Sequence, residues 1–345
     1  MNSRYEAAGQ ALASWFQKNG RDLPWRHTRD PYRIWLSEVM LQQTRVETVL
    51  GYYHRFLEKY PDVLSLAAAE RDDVFKLWEG LGYYRRAEYL MKAAVYIRDC
   101  CGGVFPDTAE ALRKVPGIGP YTAGAIAATA FGERAAAVDG NVLRVVSRLD
   151  GLHDPVGSTA LTEASARAAL AMMPPDGAWS HTQAMMDLGA TVCLPKAPHC
   201  GLCPLRDLCL AFDRGEEREL PLRPEKKAKK VISRQVYLLC CDGRVLLRRR
   251  PETGLLRGMW EFPADEEGEN FLAPFAVTAR SASVDKVHVF THRIWEMHSE
   301  IVQVKEPATP ERCRWMTPAE LEAAALPSAM AEFRKAVLAF LEAES

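Results

Sequence analysis

Two acidic residues stand in sequence surroundings that suit proton chemistry. Glu38 has Ile34 four positions before it and Leu41 three positions after it, so on a helix it would share an apolar face. Loss of hydration raises the pKa of such a carboxyl group and makes Glu38 a candidate proton donor near neutral pH. The competing interpretation is an ordinary surface glutamate. Asp139 precedes another helical pattern, where it is either the N-cap or a second functional carboxylate.

Four of the nine cysteines are closely spaced, at Cys193, Cys200, Cys203 and Cys209. Four thiolates in a short segment form an all-sulfur site, which holds either zinc or an iron–sulfur cluster. The single Cys-x-x-Cys pair and the wider outer gaps favour an iron–sulfur cluster. His199 is interpreted as a neighbour of this site. The other cysteines are expected to be buried apolar thiols.

Three short segments have the composition of nucleic-acid contacts. Gly117 and Gly119 leave backbone N–H groups uncovered before a helix that starts at about Tyr121, where a phosphate would fit. Gln42, Gln43 and Thr44 form a row of uncharged hydrogen-bonding groups that suits base edges. The run LGYYRR, residues 81–86, combines aromatics with arginines, which wedge between bases and hold phosphates but also pack at helix ends.

The elements that would position these residues are mostly helical in the first two thirds of the chain. Apolar periodicity predicts helices over residues 4–18, 122–130, 142–149, 159–172 and 179–190. Asp30 and Pro31 start a helix that is predicted to continue without a break to the end of HRFL at residue 57. Strand-like runs follow on both sides of Asp242-Gly243, a hairpin turn signal, and a last helix is predicted at residues 328–342.

Length and composition indicate a two-domain protein. At 345 residues the chain exceeds one usual core, and a charged, proline-bearing stretch at residues 213–232 is predicted to be a linker. The net charge of -1 neither supports nor excludes a nucleic-acid partner, because a local basic groove is compatible with it. The chain has no signal-peptide pattern and no run of about 18 apolar residues, so we expect a cytoplasmic protein without a membrane partner.

The spacing of the four cysteines, the hairpin PGIGPYTAG and the motif VDGN together resemble the helix-hairpin-helix DNA glycosylases of the endonuclease III type. LPWR, WLSEVMLQQT and LGYYRR extend the resemblance to the adenine DNA glycosylases of the MutY type, in the family's order and over nearly the whole chain. The resemblance implies a mainly α glycosylase region at 1–212. It would consist of a six-helix domain at about 24–132 and an iron–sulfur domain at about 1–23 and 133–212, which carries a 4Fe-4S cluster on the four cysteines.

The resemblance also implies roles for individual residues. Glu38 matches the acid that protonates adenine, Asp139 the carboxylate that faces the sugar, Tyr121 a supporting tyrosine and Asn141 a nearby amide. Cleavage of an N-glycosidic bond builds positive charge on the sugar while the departing base needs a proton, so one ionised and one protonated carboxyl form a natural pair. Related lyases carry lysine at position 121, and tyrosine cannot form their Schiff base, so a monofunctional glycosylase is expected.

Further matches concern DNA contact. Gln43 and Tyr83 match residues that enter the base stack, and Arg26 and Leu81 match parts of the pocket lining. Extrusion of adenine costs a few kcal/mol of stacking and pairing, which gives side chains that enter the base stack a physical role.

The C-terminal region, residues 233–345, resembles an α+β Nudix-like domain. The glutamate-rich metal box of Nudix pyrophosphatases is missing from ADEEGENFLAPF at residues 264–275, so recognition rather than catalysis is expected of this domain. Phe290, Thr291 and His292 match the family's Phe-Ser-His turn, which reads the oxidised guanine. Threonine keeps the hydroxyl of serine but adds a methyl group.

The expected function is hydrolytic release of adenine mispaired with 8-oxoguanine or G in double-stranded DNA, by a monomer in a bacterial cytoplasm, associated with the nucleoid. A contact with a sliding clamp is not readable from the sequence. The alternatives are a thymine mismatch glycosylase of the same superfamily, and a non-catalytic DNA-damage binder or iron–sulfur redox sensor.

Overall fold

The structure, a computed structural model, describes residues 3–224, 228–265 and 270–344. Two compact units are present, one of residues 1–68 with 88–225 and the other of residues 69–87 with 226–345. The helices are α1 (Ser3–Asn19), α2 (Pro31–Leu41), α3 (Val46–Lys59), α4 (Val63–Ala67), α5 (Arg71–Trp78), α6 (Arg85–Cys100), α7 (Ala109–Leu112), α8 (Pro120–Ile126), α9 (Gly140–Leu149), α10 (Thr159–Met172), α11 (Ala178–Thr191), α12 (Leu210–Arg214), α13 (Pro318–Ala323) and α14 (Ala331–Ala343). The strands are β1 (Lys230–Cys241), β2 (Arg244–Arg249), β3 (Trp260–Glu261), β4 (Ala264–Asp265), β5 (Val277–Ala282), β6 (Lys286–Val289), β7 (Arg293–Val304) and β8 (Cys313–Met316).

The first unit is helical, as the sequence predicts. One core joins α1 to α9, α10 and α11 through side chains such as Leu12, Val146 and Leu188, which are all fully buried. Gly9 allows α1 to approach α10 closely, because a Cβ atom there would collide with the backbone carbonyl of Met172. The chain after α8 continues as a π-helical segment at Ala127–Phe131 before Gly132 ends it in the left-handed conformation.

The prediction of one unbroken helix up to residue 57 was wrong. Helix α2 ends at Leu41 and α3 begins at Val46, because Gln43 takes a left-handed backbone conformation with φ of 58°. The amide of Thr44 then bonds back to the carbonyl of Leu41 at 3.3 Å, closing a turn. A non-glycine residue rarely adopts this conformation, so the break has no sequence signal.

The second unit is an α+β structure with a mixed sheet. Its main path runs β3-β2-β1-β7-β5, with β4 paired to β1, β6 to β7 and β8 to β2. Strand β1 is parallel to β7 and antiparallel to β2, and its side chains alternate between two apolar clusters, with Val236 and Leu238 on one face and Tyr237 and Leu239 on the other. The predicted fold class is confirmed in both regions of the chain. So is the predicted hairpin turn, where Asp242 and Gly243 have φ of 48° and 69°.

A buried ion cluster joins the strands at one end of the sheet. Glu261 on β3 is 1% exposed and pairs with Arg234 at 3.1 Å, Arg248 at 3.1 Å and Arg250 at 2.8 Å. The guanidinium of Arg234 lies 4.1 Å from the ring centroid of Trp295. These contacts fasten β1, β2, β3 and β7 together.

Some segments differ from their expected character. Of the cysteines outside the group of four, Cys240 and Cys241 are buried, but Cys100 is exposed, so that prediction was wrong for Cys100. Cys100 ends α6, where the helix surface faces solvent.

The predicted linker includes residues 225–227, and the segment predicted to lack a metal box includes residues 266–269; both stretches lie outside the described residues. Among the residues that are described, no helix has the length and apolar character needed to cross a membrane.

Candidate active site

Helix α2 carries Glu38 into the interior of the first unit. Asp30 caps the helix by accepting the amide of Tyr32 at 2.9 Å, and Pro31 occupies the first helical position. Glu38 is 4% exposed, and its Oε2 accepts a hydrogen bond from the Tyr121 hydroxyl at 2.5 Å. Among the described residues, no hydrogen bond is made to the second oxygen, Oε1.

The surroundings of Glu38 favour its neutral form. Burial raises the pKa of Glu38 to about 7, the hydrogen bond from Tyr121 opposes this rise, and the negative charge of Asp139 adds to it. The raised pKa predicted from the apolar neighbours is therefore confirmed. Burial also raises the pKa of Tyr121 well above its ordinary value, so the phenol stays neutral and acts as the donor.

Asp139 is the N-cap of α9 and lines the same cavity as Glu38. Its Oδ1 accepts the amides of Asn141 at 2.9 Å and Val142 at 2.7 Å, and its Oδ2 accepts Nδ2 of Asn141 at 2.8 Å. Burial raises the pKa of Asp139, while the hydrogen bonds from Val142 and Asn141 lower it. The same carboxylate caps α9 and faces the cavity, so the interpretation of Asp139 as an N-cap is compatible with its interpretation as a functional carboxylate.

The cavity between these groups measures about 730 Å³, within the range of pockets that hold a small organic ligand. Among the predicted site residues, its lining contains Glu38, Tyr121, Asp139, Asn141, Arg26, Gln42, Gln43 and Thr44. Gly117 and Gly119 lie in the turn before α8, outside this lining. Gly117 has φ of 80°, and a Cβ atom there would lie 2.6 Å from Cβ of Tyr89, so a side chain would not fit.

Helix α11 contributes polar residues that the sequence interpretation missed. Asp187 is fully buried and binds Arg26 through both oxygens at 2.8 Å, while Gln183 accepts from Nε of Arg26 at 2.8 Å. Arg21 adds a second ion pair to Asp187 at 2.6 Å. The arginine cations hold the pKa of Asp187 below its usual value against the effect of burial. An aspartate inside the apolar run AMMDLGA was the available signal.

Arg144 connects the cavity to the cysteine segment. Its Nη2 donates to Oδ1 of Asn141 at 2.9 Å and to the carbonyl of Gly189 at 2.6 Å, and its Nε donates to the carbonyl of Cys193 at 2.7 Å. Gly189 is required for this approach of α11 to α9, because a Cβ atom there would lie 2.5 Å from Cβ of Asn141. No sequence pattern indicated this role for Arg144.

The four predicted metal ligands surround a second cavity in the first unit, which Cys193, Cys200, Cys203 and Cys209 all line. No three His, Cys, Asp or Glu side chains in the described part of the chain are close enough to be assigned to a single metal ion. Burial raises the pKa of Cys203 to about 12, and the charges of the other three thiols add to this rise.

A buried arginine lies beside these thiols. Arg148 is 2% exposed and donates to Sγ of Cys193 at 3.2 Å and to the carbonyls of Leu194, Pro195 and Leu220 at 2.8 to 3.0 Å. Within the described ranges it pairs with no carboxylate. A buried cation without an acidic partner is costly, so an anionic group at the thiols would fit the residues present.

The remaining predicted site residues lie in the second unit. Tyr83 has φ of 48° and is 50% exposed, and its hydroxyl lies 3.4 Å from Oγ1 of Thr291. Leu81 is buried, 5% exposed. Phe290, Thr291 and His292 form the turn between β6 and β7, and Phe290 contacts Trp295 edge to face with 4.8 Å between ring centroids. The structure thus brings Tyr83 and the turn together.

Comparison with known proteins identifies the family. The sequence-family model described as "HhH-GPD superfamily base excision DNA repair protein" matches residues 36–168, and a NUDIX domain family model matches residues 235–336. The adenine DNA glycosylases of Mus musculus and Homo sapiens are 34% and 33% identical to this chain, over 92% and 93% of it and over 75% and 72% of their own lengths. The chain belongs to the adenine DNA glycosylase family. It is a base-excision DNA glycosylase, and its second unit is Nudix-like.

Solved structures resemble the helical part of the glycosylase. A thermostable thymine-DNA glycosylase superposes with a TM-score of 0.56 and 30% identity, over 62% of this chain and 98% of that one. A trapped endonuclease III–DNA covalent intermediate superposes with a TM-score of 0.52 and 26% identity, over 62% of this chain and 96% of that one. The second of these structures is a complex with DNA, in agreement with DNA binding by the glycosylase.

Proposed function

We propose that the glycosylase hydrolyses the N-glycosidic bond of adenine mispaired with 8-oxoguanine or G, without cutting the DNA strand. The observation that carries this proposal is the shared cavity of Glu38 and Asp139, whose two carboxyl groups have different partners. Such a difference divides the roles of acid and anion between two like groups.

Glu38 supplies the proton in this mechanism. With a pKa of about 7 it is substantially protonated at neutral pH, and Tyr121 holds Oε2 so that Oε1 is left to meet the adenine. A proton on the departing base lowers the barrier to breaking its bond to the sugar. After the base leaves, the Glu38 carboxylate can take a proton from the attacking water.

Asp139 stabilises the positive charge that develops on the sugar. Its three hydrogen-bond donors and the N-terminus of α9 favour the ionised form and oppose the rise in pKa that burial causes. Asn141 fixes the orientation of this carboxylate and is itself held by Arg144. Attraction between the opposite charges of Asp139 and the oxocarbenium ion then stabilises the transition state.

The proposal excludes a lyase reaction. The phenol of Tyr121 is neutral and cannot form a Schiff base with the sugar. Treatment of the native enzyme on DNA with borohydride should therefore trap no covalent complex. Efficient trapping would contradict the monofunctional assignment.

Two groups of residues would contact the DNA. The cavity shared by Glu38 and Asp139, called the excision cavity below, is also lined by Arg26, Gln42, Gln43 and Thr44. This position supports their proposed contact with the extruded adenine and its neighbours. Gly117 and Gly119 would meet a phosphate. Tyr83 would enter the base stack, while Phe290, Thr291 and His292 would read the opposite base, and the approach of Tyr83 to Thr291 supports a joint role. The match of Leu81 to the family's pocket lining stays a prediction. In this proposal the Thr291 hydroxyl replaces that of the family's serine in reading the oxidised guanine.

A 4Fe-4S cluster on Cys193, Cys200, Cys203 and Cys209 completes the proposed enzyme. The common cavity of the four thiols and the buried charge of Arg148 support an anionic cluster. When bound, the cluster would supply structural cross-linking of the cysteine segment and no step of hydrolysis. Iron and sulfide analysis of the purified protein separates it from zinc.

The test is base release from duplexes with A opposite 8-oxoguanine, A opposite G, or T opposite G, followed by alkali and a gel. We expect cleavage at A in the first two duplexes and none at T. Preference for T opposite G would favour the thymine-specific alternative, with which the solved structure of a thymine-DNA glycosylase agrees in fold. We expect the enzyme to act as a monomer on the nucleoid of a bacterial cell.

A further inference from the structure

The second unit contains a basic pocket that the excision chemistry does not use. Its volume is about 620 Å³, and its lining consists of Arg249, Arg250, Pro251, Glu252, Trp260, Arg312, Cys313 and Arg314. Four arginines therefore face one glutamate. They come from the end of β2, the loop after it and the start of β8, which the sheet brings side by side.

The carboxylates near the pocket do not neutralise it. Glu252 is 74% exposed and pairs with Arg71 at 3.2 Å instead of a pocket arginine. Glu261 binds Arg250 but is shared with Arg234 and Arg248. Asp72 pairs with Arg249 and Glu320 with Arg314, so Arg312 is the pocket arginine that has no carboxylate partner among the described residues.

Several guanidinium donors remain available. Arg312 is exposed, and its side chain makes no ion pair or hydrogen bond to another residue in the described ranges. Arg249 binds Asp72 through Nη2, yet its Nε is buried without a hydrogen-bond partner among the residues described. Arg314 uses Nη2 for Glu320 at 2.5 Å in an exposed pair, which contributes little stability. A guanidinium group has five N–H donors, and among the described residues Arg249 and Arg314 use only Nη2 for their side-chain hydrogen bonds.

The pocket wall also offers a flat aromatic surface. The ring of Trp260 lies 4.8 Å from the guanidinium carbon of Arg249, which fixes that arginine over the indole. Planar guanidinium groups that are held in place bind phosphate through paired hydrogen bonds. The volume exceeds the needs of a single inorganic anion and suits linked phosphate groups.

We propose that this arginine pocket, residues 249–252, 260 and 312–314, is a phosphate-binding site separate from the excision cavity. Its ligand carries linked phosphate groups, which either the backbone of a DNA strand or a free polyphosphate supplies. Both sources present the same chemistry, and binding experiments distinguish them. The proposal does not depend on which base the enzyme removes.

The first arm measures calorimetric binding of inorganic pyrophosphate to the full-length, cofactor-loaded protein, with citrate as the carboxylate control. Arg312→Ala and the double variant Arg312→Ala/Arg314→Ala should each weaken pyrophosphate binding by about tenfold or more. Arg312→Lys, which keeps the charge and removes the paired donors, should give an intermediate loss. Citrate that binds as tightly as pyrophosphate would overturn the assignment to phosphate.

The second arm measures affinity for an undamaged duplex as a function of salt. If DNA is the source, the double variant should reduce the slope of log K against log salt by about one for each phosphate that the protein no longer neutralises. Arg280→Ala is the matched control, because Arg280 is a 52% exposed arginine on β5, outside the pocket lining. It should leave both measurements unchanged.

The two arms together decide the proposal. Loss of pyrophosphate binding with an unchanged salt slope identifies a free polyphosphate, and a reduced slope identifies DNA. Unchanged pyrophosphate binding and an unchanged slope in the double variant, with a native circular dichroism spectrum, would overturn it.

Discussion

Each unit of the molecule buries a glutamate, and the two glutamates have opposite properties. Glu38 in the helical unit and Glu261 in the sheet unit are 4% and 1% exposed. Burial raises the pKa of Glu38 to about 7, and among the described residues this carboxyl accepts a hydrogen bond from one phenol and forms no salt bridge. Burial also acts to raise the pKa of Glu261, but three arginines outweigh it and hold that pKa below its usual value.

The difference shows that the partners of a buried carboxyl group, rather than its burial, decide its role. Glu261 is a permanent anion that fastens four strands, and it has no proton to give at neutral pH. Glu38 lies near the point at which it gains or loses a proton, as a general acid must. Four predictions test this contrast.

The largest effect is expected for base release by Glu38→Gln. Glutamine keeps the shape of the side chain but cannot donate the proton, so single-turnover release of adenine should fall by about 10²- to 10⁴-fold. Affinity for the mismatched duplex should stay close to that of the wild type. Glu58→Gln, an exposed change on α3, is the control, and undiminished release by Glu38→Gln would show that another group is the acid.

The next effect concerns the stability of the second unit. Glu261→Gln leaves buried arginine charge without its anion and should lower the free energy of unfolding by about 3–5 kcal/mol. Urea unfolding monitored by circular dichroism measures it. Glu296→Gln, on the exposed face of β7, should change stability by less than about 0.5 kcal/mol. Equal effects of the two variants would contradict a structural role for Glu261.

The difference in stability between Glu38→Gln and the wild type should grow as the pH rises. The folded pKa of about 7 exceeds the ordinary 4.5, so the folded state binds this proton more tightly and wild-type stability falls as pH rises between these values. Glutamine removes that decline, and the variant should gain about 3 kcal/mol relative to wild type between pH 4.5 and 8. Parallel stability curves would show that Glu38 is not perturbed.

The smallest effect is expected for Tyr121→Phe. The phenol donates to the Glu38 carboxylate and lowers its pKa, so its loss should move the alkaline limb of the rate–pH profile to higher pH. The rate at the optimum should fall by about tenfold or less. A profile shifted to lower pH would mean that Tyr121 stabilises the neutral acid instead.

The sequence predicted the features that depend on local pattern. The apolar neighbours of Glu38 at helical spacing indicated a raised pKa beside the alternative of a surface glutamate, and the cap position of Asp139 followed from the helix after it. The turn at Asp242-Gly243 was also readable, because its residue types tolerate positive φ.

Features that depend on distant packing were not predictable in the same way. The left-handed Gln43 has no sequence signal, since few non-glycine residues take this conformation. Glu261 meets its arginines only because the register of β1, β2 and β3 aligns them. Arg144 and Asp187 acquire their contacts when α9 and α11 pack, which a helical pattern cannot specify.

The contact of Arg4 with the carbonyl of Leu208, at 2.8 Å, joins residues 204 positions apart. During synthesis the ribosome therefore releases the first helix long before its acceptor exists. The cavity beside Glu38 shares this delay, because Arg21 and Arg26 form their ion pairs only after Asp187 has been synthesised. A nascent chain that stops before α11 contains Glu38 but lacks Asp187, so the contacts of Arg21 and Arg26 that shape this cavity form only after most of the first unit has been translated.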